Sequence, residues 1–183
     1  MTLLMHSRTS LWLAITLIVI GATMRFFPHP ANVAPIAAIA LFSGVYLKRW
    51  HAFVIPLAAM ILSDAVIGFH SLIWATWGCF LLVGALGLWV RRQKTFSRVV
   101  AGSLVGSVMF FLVTNWAVWK FTSMYDPSLN GLWASYLAAI PFFRNTVLGD
   151  LFFTGLLFGV YEGATVFITK RMPQSITISS NER

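Results

Sequence analysis

One thiol, two carboxylates and a few amides and arginines are the residues of this chain that could do chemistry within an apolar sequence. Cys79 stands in "SLIWATWGCFLL", Asp64 in "LSDAVIGFH" and Asp150 in "FFRNTVLGDLFF". Cys79 is the single cysteine, so no internal disulfide can form, and no CxxC or Cys/His spacing points to a zinc site. A free cysteine packs as a small hydrophobe, yet its thiolate is also a ligand for a soft or borderline metal centre. Residue type leaves both roles open. The carboxylates carry a sharper signal, because an ionisable group inside a membrane is costly and needs a partner or a function.

A membrane is what the composition demands. Of 183 residues, 58% are hydrophobic and 10% charged, more apolar surface than a soluble domain of this size could bury. The expected fold is an all-α integral membrane protein embedded in the lipid bilayer. The net charge of +8 comes from short basic clusters between long apolar runs, not from an aromatic-interleaved basic face, which argues against nucleic acid as a partner. No GxxxxGK[ST] loop occurs, so no bound nucleotide is expected by that route.

Spans of about 20 apolar residues can be placed at roughly 10–27, 31–47, 50–69, 71–90, 98–119 and 144–168, giving six transmembrane helices. The apolar stretch before the sixth reads as an interfacial or re-entrant helix ended by Pro141, with a seventh span as the alternative. Residues 1–172 then form one transmembrane domain, and 173–183, "PQSITISSNER", a disordered cytoplasmic tail. The first segment reads as a span and not a signal peptide, because removing it spoils the charge alternation. With the amino terminus inside, Lys48, Arg49, Arg91, Arg92, Lys94, Arg98 and the terminal bases collect on the cytoplasmic side, and only Arg25, Lys120 and Arg144 stay outside. That is the positive-inside distribution, and it places both termini in the cytoplasm of a multi-pass inner (cytoplasmic) membrane protein.

On this layout the polar groups share a layer. At about 1.5 Å rise per residue, Asp64 lies roughly 7 to 8 Å below the outer surface, Asp150 roughly 9 Å and Cys79 roughly 12 Å. His29, Asn32, Asn115, Trp116, Tyr125, Arg144 and Asn145 fall at outer ends or outer connections. Together with the two acids they nominate a substrate-binding pocket open to the outside, to which every span but the second contributes. The plainer alternative pairs Asp64 and Asp150 with Arg25 and Arg144 to lock the bundle, and makes Trp116 and Tyr125 interfacial anchors. The inner halves carry almost nothing ionisable apart from Glu162, so no continuous ion path is expected. Gly102 with Gly106, and Gly155, Gly159 and Gly163, predict close internal helix packing, while Ala34 and Ala38 suggest a docking face for a partner membrane subunit.

The strings "RFFPHPANVAPIAAIALFSG", "LSDAVIGFH", "FFLVTNWAVW" and "AAIPFFRNTVLGDLFFTGLLFG" resemble the substrate-binding S components of energy-coupling factor (ECF) transporters. The resemblance implies a six-helix bundle that captures a vitamin or metal ion from outside and docks on a coupling subunit driven by two ATPases. It is nearest to the BtuM-type vitamin B12 transporters, which carry a cysteine where Cys79 stands. Carried over, Cys79 would ligate the cobalt of cobalamin, the ligand and substrate, and could promote its decyanation, with His29 and Asp64 lining the pocket and Arg144, Asn145 and Asp150 in support. The docking alanines of S components are absent from the first span here, so the protein could also work alone. A transporter and not an enzyme is expected. The alternatives are an S component for another vitamin or metal ion with Cys79 only structural, an intramembrane enzyme with Cys79 as nucleophile, or a structural protein.

Overall fold

The computed structural model describes residues 2–27, 30 and 32–171; His29 and the 173–183 tail lie outside the described residues. Every regular element among the described residues is a helix. Their order is α1 (Thr2–Thr23), a 3-10 turn (Met24–Phe26), α2 (Ile36–Tyr46), α3 (His51–Ile67), α4 (Ile73–Arg92), α5 (Phe96–Phe121) and α6 (Leu129–Arg171). Among the described residues α4, α5 and α6 are long and apolar enough to cross a membrane, while Leu11–Thr23 of α1, α2 and α3 are shorter apolar helices. This makes the chain a helical membrane protein by length and composition.

Local signals set the boundaries. Thr95 caps α5, its side chain accepting from the Arg98 amide at 3.3 Å. Arg91 and Arg92 close the last turn of α4, where their charge opposes the negative end of the helix dipole. Gly68 ends α3 at φ 119, a conformation that favours glycine.

Two helices differ from their expected bounds. Pro141 does not end a separate short helix: α6 runs through it for 43 residues, about 64 Å at 1.5 Å per residue. Proline removes the hydrogen bond to the carbonyl of Leu137, but neighbouring helices support the chain on both sides of the gap, where Tyr136 donates to the Leu112 carbonyl at 3.0 Å and Thr146 lies buried. The second apolar segment is likewise no full span. Pro35 stands at the amino-terminal cap of α2, which is only 11 residues long, or about 16 Å.

This short helix is the centre of the molecule, packed against α1, α3, α4, α5 and α6. Ile36, Ile39, Leu41 and Phe42 are all within 1% of full burial, and the Phe42 ring meets those of Phe158 and Tyr161 edge-on. Ala38 is 1% exposed and packs in the core, whereas Ala34 is half-buried, so the two do not form one exposed face. Close approach comes from glycines: a Cβ on Gly44 would stand 2.5 Å from the Gly84 carbonyl oxygen, and one on Gly84 2.1 Å from that of Ala52.

The small residues of α5 and α6 behave differently from each other. Gly102 and Gly106 face Leu41, Val90 and Val83 at packing distance. Gly155, Gly159 and Gly163 have nothing within 4 Å of a built Cβ, so the expected internal packing is absent along that stripe of α6. α6 meets α5 beside this stripe, where buried Thr154 donates to Ser103 at 3.3 Å.

Candidate functional site

Where α4 begins and α5 ends, the bundle opens into two adjoining cavities of about 270 and 290 Å³ that share Asn32, Thr76, Phe110 and Thr146. The wall from α5 follows directly from helical geometry. Phe110, Phe111, Thr114, Asn115 and Val118 recur at three- to four-residue spacing and so present one face to the outer chamber. Phe142, Phe143 and Thr146 of α6 stand opposite them.

Asn32 belongs to both chambers and holds φ 63, a left-handed conformation that asparagine tolerates better than most residues. It is placed there by the turn before α2, where the Val33 amide donates to the Pro30 carbonyl at 3.0 Å. The deeper chamber adds Ala34, Ile36 and Ala37. The second apolar segment therefore does contribute to the site, through the start of α2.

Asp150 walls the deeper chamber and is 4% exposed. Its carboxylate accepts from the Ser107 hydroxyl at 2.7 Å, and one turn further on Thr154 donates to Ser103 at 3.3 Å. Hydroxyls, then, answer this acid. Arg144 is exposed and lines neither chamber, which corrects the expected Asp150–Arg144 pairing: six residues apart on one helix, the two project from different faces.

The remaining nominated residues divide. Asn115 lines the outer chamber, its side-chain amide donating to the Phe111 carbonyl at 2.8 Å. Asp64 is 1% exposed and lies outside both chambers, where the Trp77 indole N–H donates to it at 2.9 Å and ties α3 to α4. Trp116 packs edge-on to Phe121 at 5.6 Å between centroids. Trp116, Tyr125 and Asn145 line neither chamber. Cys79 is 1% exposed and also lines neither, yet it sits one helical turn beyond Ala75 of the outer wall and beside Phe80 of the deeper one.

Sequence reasoning missed Thr76, Thr114, Thr146 and Ser107, the neutral hydroxyls that supply most of the polar lining or its support. The signal was the four-residue spacing of "FFLVTN", in which Asn115 alone stood out by polarity.

At the far end of the bundle Glu162 of α6 accepts from both the Tyr46 hydroxyl and the Lys94 ammonium, joining α6 to α2 and to the α4–α5 turn. Lys48, Arg49, Arg91, Arg92 and Arg98 accompany Lys94 at this end, whereas Lys120 and Arg144 lie toward the cavities.

The model of a family of unknown function, DUF6580, matches residues 5–174, and the chain belongs to that family. No curated protein and no solved structure matches the chain.

Proposed function

We propose that this DUF6580 member is a multi-pass transport protein of the cytoplasmic membrane that captures a micronutrient from outside, with the paired chambers as its binding cleft. The observation that carries this is the position of the chambers, at the end of the bundle opposite its basic cluster. Bases collect on the cytoplasmic side of membrane proteins, so the cleft faces out. Six membrane-embedded helices with both termini inside complete the topology, α2 being enclosed by the other five. An ECF-type coupling subunit with its ATPases, or solitary action, would follow capture.

Cobalamin is the ligand that the resemblance implies. Its cobalt is already held in plane by the corrin, so a single axial donor such as the Cys79 thiolate suffices, and no converging cluster of protein ligands is required. A corrin exceeds either chamber and Cys79 lines neither, so ligation would require the cleft to open as far as Cys79. The burial of Cys79 at 1% exposure favours a second ligand class, a smaller vitamin, with the thiol as packing. Chambers of about 270 and 290 Å³ approach the roughly 300 Å³ at which ligand sites begin.

Purification in detergent with cobalamin, followed by visible absorption spectra of the wild type and Cys79→Ala, tests the assignment. A retained corrin with a shifted cobalt spectrum in the wild type only supports axial ligation. If neither protein retains corrin while another vitamin raises the melting temperature, capture stands and the ligand changes. If no micronutrient is retained by any measure, the transport role fails.

A further inference from the structure

A third cavity of about 560 Å³ lies on the outside of the bundle at its basic end, between the start of α5 and the second half of α6. Val99, Val100, Leu151, Gly155 and Phe158 make an apolar wall, and Lys94 and Glu162 stand at its mouth. From Glu162 to Leu151 the groove follows twelve residues of α6, a rise of about 16 Å at 1.5 Å per residue. That is one leaflet of a hydrocarbon core about 30 Å thick. Lys94 and Thr95 of the α4–α5 turn line its polar end, and Arg91 and Arg92, exposed in the last turn of α4, precede Lys94 by three and two residues. Among the described residues Glu162 is the one acid at this end, and Lys94 is already bonded to it.

We propose that this groove binds one anionic phospholipid, its acyl chain lying along α6 and its phosphate held at the mouth by the Arg91, Arg92 and Lys94 cluster. Length and charge together select this occupant. A partner helix would need no basic mouth, and a soluble anion would need no leaflet-long apolar wall. Basic clusters at the cytoplasmic ends of helices attract anionic headgroups in the same way. The absence of neighbours around Gly155 and Gly159 leaves the space that the chain fills. The site is separate from the micronutrient cleft and does not depend on what the cleft binds.

The test is native mass spectrometry of the full chain in detergent, titrated with phosphatidylglycerol or with phosphatidylcholine of the same acyl composition. One phosphatidylglycerol per chain is expected, retained about tenfold better than phosphatidylcholine. Gly155→Leu/Gly159→Leu fills open space without a clash, so it keeps the wild-type melting temperature and loses the lipid, while Arg91→Gln/Arg92→Gln abolishes the preference between the two headgroups. Equal retention of both lipids, or undiminished retention in the glycine double variant, overturns the site. So does displacement of the lipid by inorganic phosphate alone, or a shift in oligomeric state in the glycine variant without lipid loss, which assigns the groove to a second copy of the chain.

Discussion

Ser107 and Asp150 meet at 2.7 Å in the seam between α5 and α6, so the hydroxyl that steadies this buried carboxylate also fixes one wall of the deeper chamber. Removing the donor leaves an acceptor buried without its partner, a loss of about 1–3 kcal/mol. Ser107→Ala is therefore expected to lower the melting temperature, whereas Asp150→Asn, whose amide oxygen can still accept from Ser107, keeps the fold and changes ligand affinity. Thermal shifts of both variants with and without ligand check this, and equal melting of Ser107→Ala and wild type would refute it.

The crossings of α4 with α3 and with α2 tolerate no added methyl. A Cβ on Gly84 stands 2.1 Å from the Ala52 carbonyl oxygen, and one on Gly87 2.4 Å from that of Leu41. These are backbone atoms that cannot rotate away, so Gly84→Ala should cost about 3 kcal/mol or more. Gly155→Ala, with open space around it, should instead be neutral or stabilising by up to about 1 kcal/mol. Size-exclusion profiles on heating separate the two, and a stable Gly84→Ala protein would contradict the close crossing.

Trp77→Phe removes the indole N–H that donates to Asp64 at 2.9 Å. The ring volume is partly kept, so the expected loss is dominated by the hydrogen bond to a carboxylate, about 1.5–3 kcal/mol. Trp77→Phe with Asp64→Ala should be less damaging than the sum of the single variants, because each change removes the Trp77–Asp64 hydrogen bond. Strict additivity in a double-mutant cycle would count against it.

The Lys94–Glu162 pair has side chains 40% and 44% exposed, so its contribution to stability is small, between about 0 and 1 kcal/mol. Glu162→Gln should shift the melting temperature little, and the shift should shrink further as salt rises. A large, salt-independent loss would mean that this cluster holds the bundle together.

Cys79, at 1% exposure, should react slowly with a membrane-permeant maleimide in the ligand-free protein. Labelling at the rate of an exposed thiol would show that the chambers open as far as α4's second turn.

The helices were legible in the sequence because their apolar runs were separated by short basic or polar breaks, although the helix in the second run, α2, is only 11 residues long. The polar layer was legible as a layer, since depth follows from residue count. What depth could not give was azimuth. Asp64 and Asp150 lie at similar depths, yet one turns to Trp77 outside the chambers and the other to the chamber wall. The glycine stripes of α5 and α6 read alike for the same reason, because spacing shows that a face is small without showing what stands opposite. Pro141 misled because proline in a soluble helix commonly marks an end, whereas α6 is braced by α5 across that turn.

The brevity of α2 sets an order of assembly. Eleven residues cannot be inserted as a self-sufficient span of about 20, and its packing surfaces on α4, α5 and α6 are synthesised after it. It is therefore expected to be enclosed only after those helices have been made. Nascent chains halted before α6 should leave Ile36–Tyr46 open to protease and full-length chains should shield it; protection in the halted chains would reverse that order.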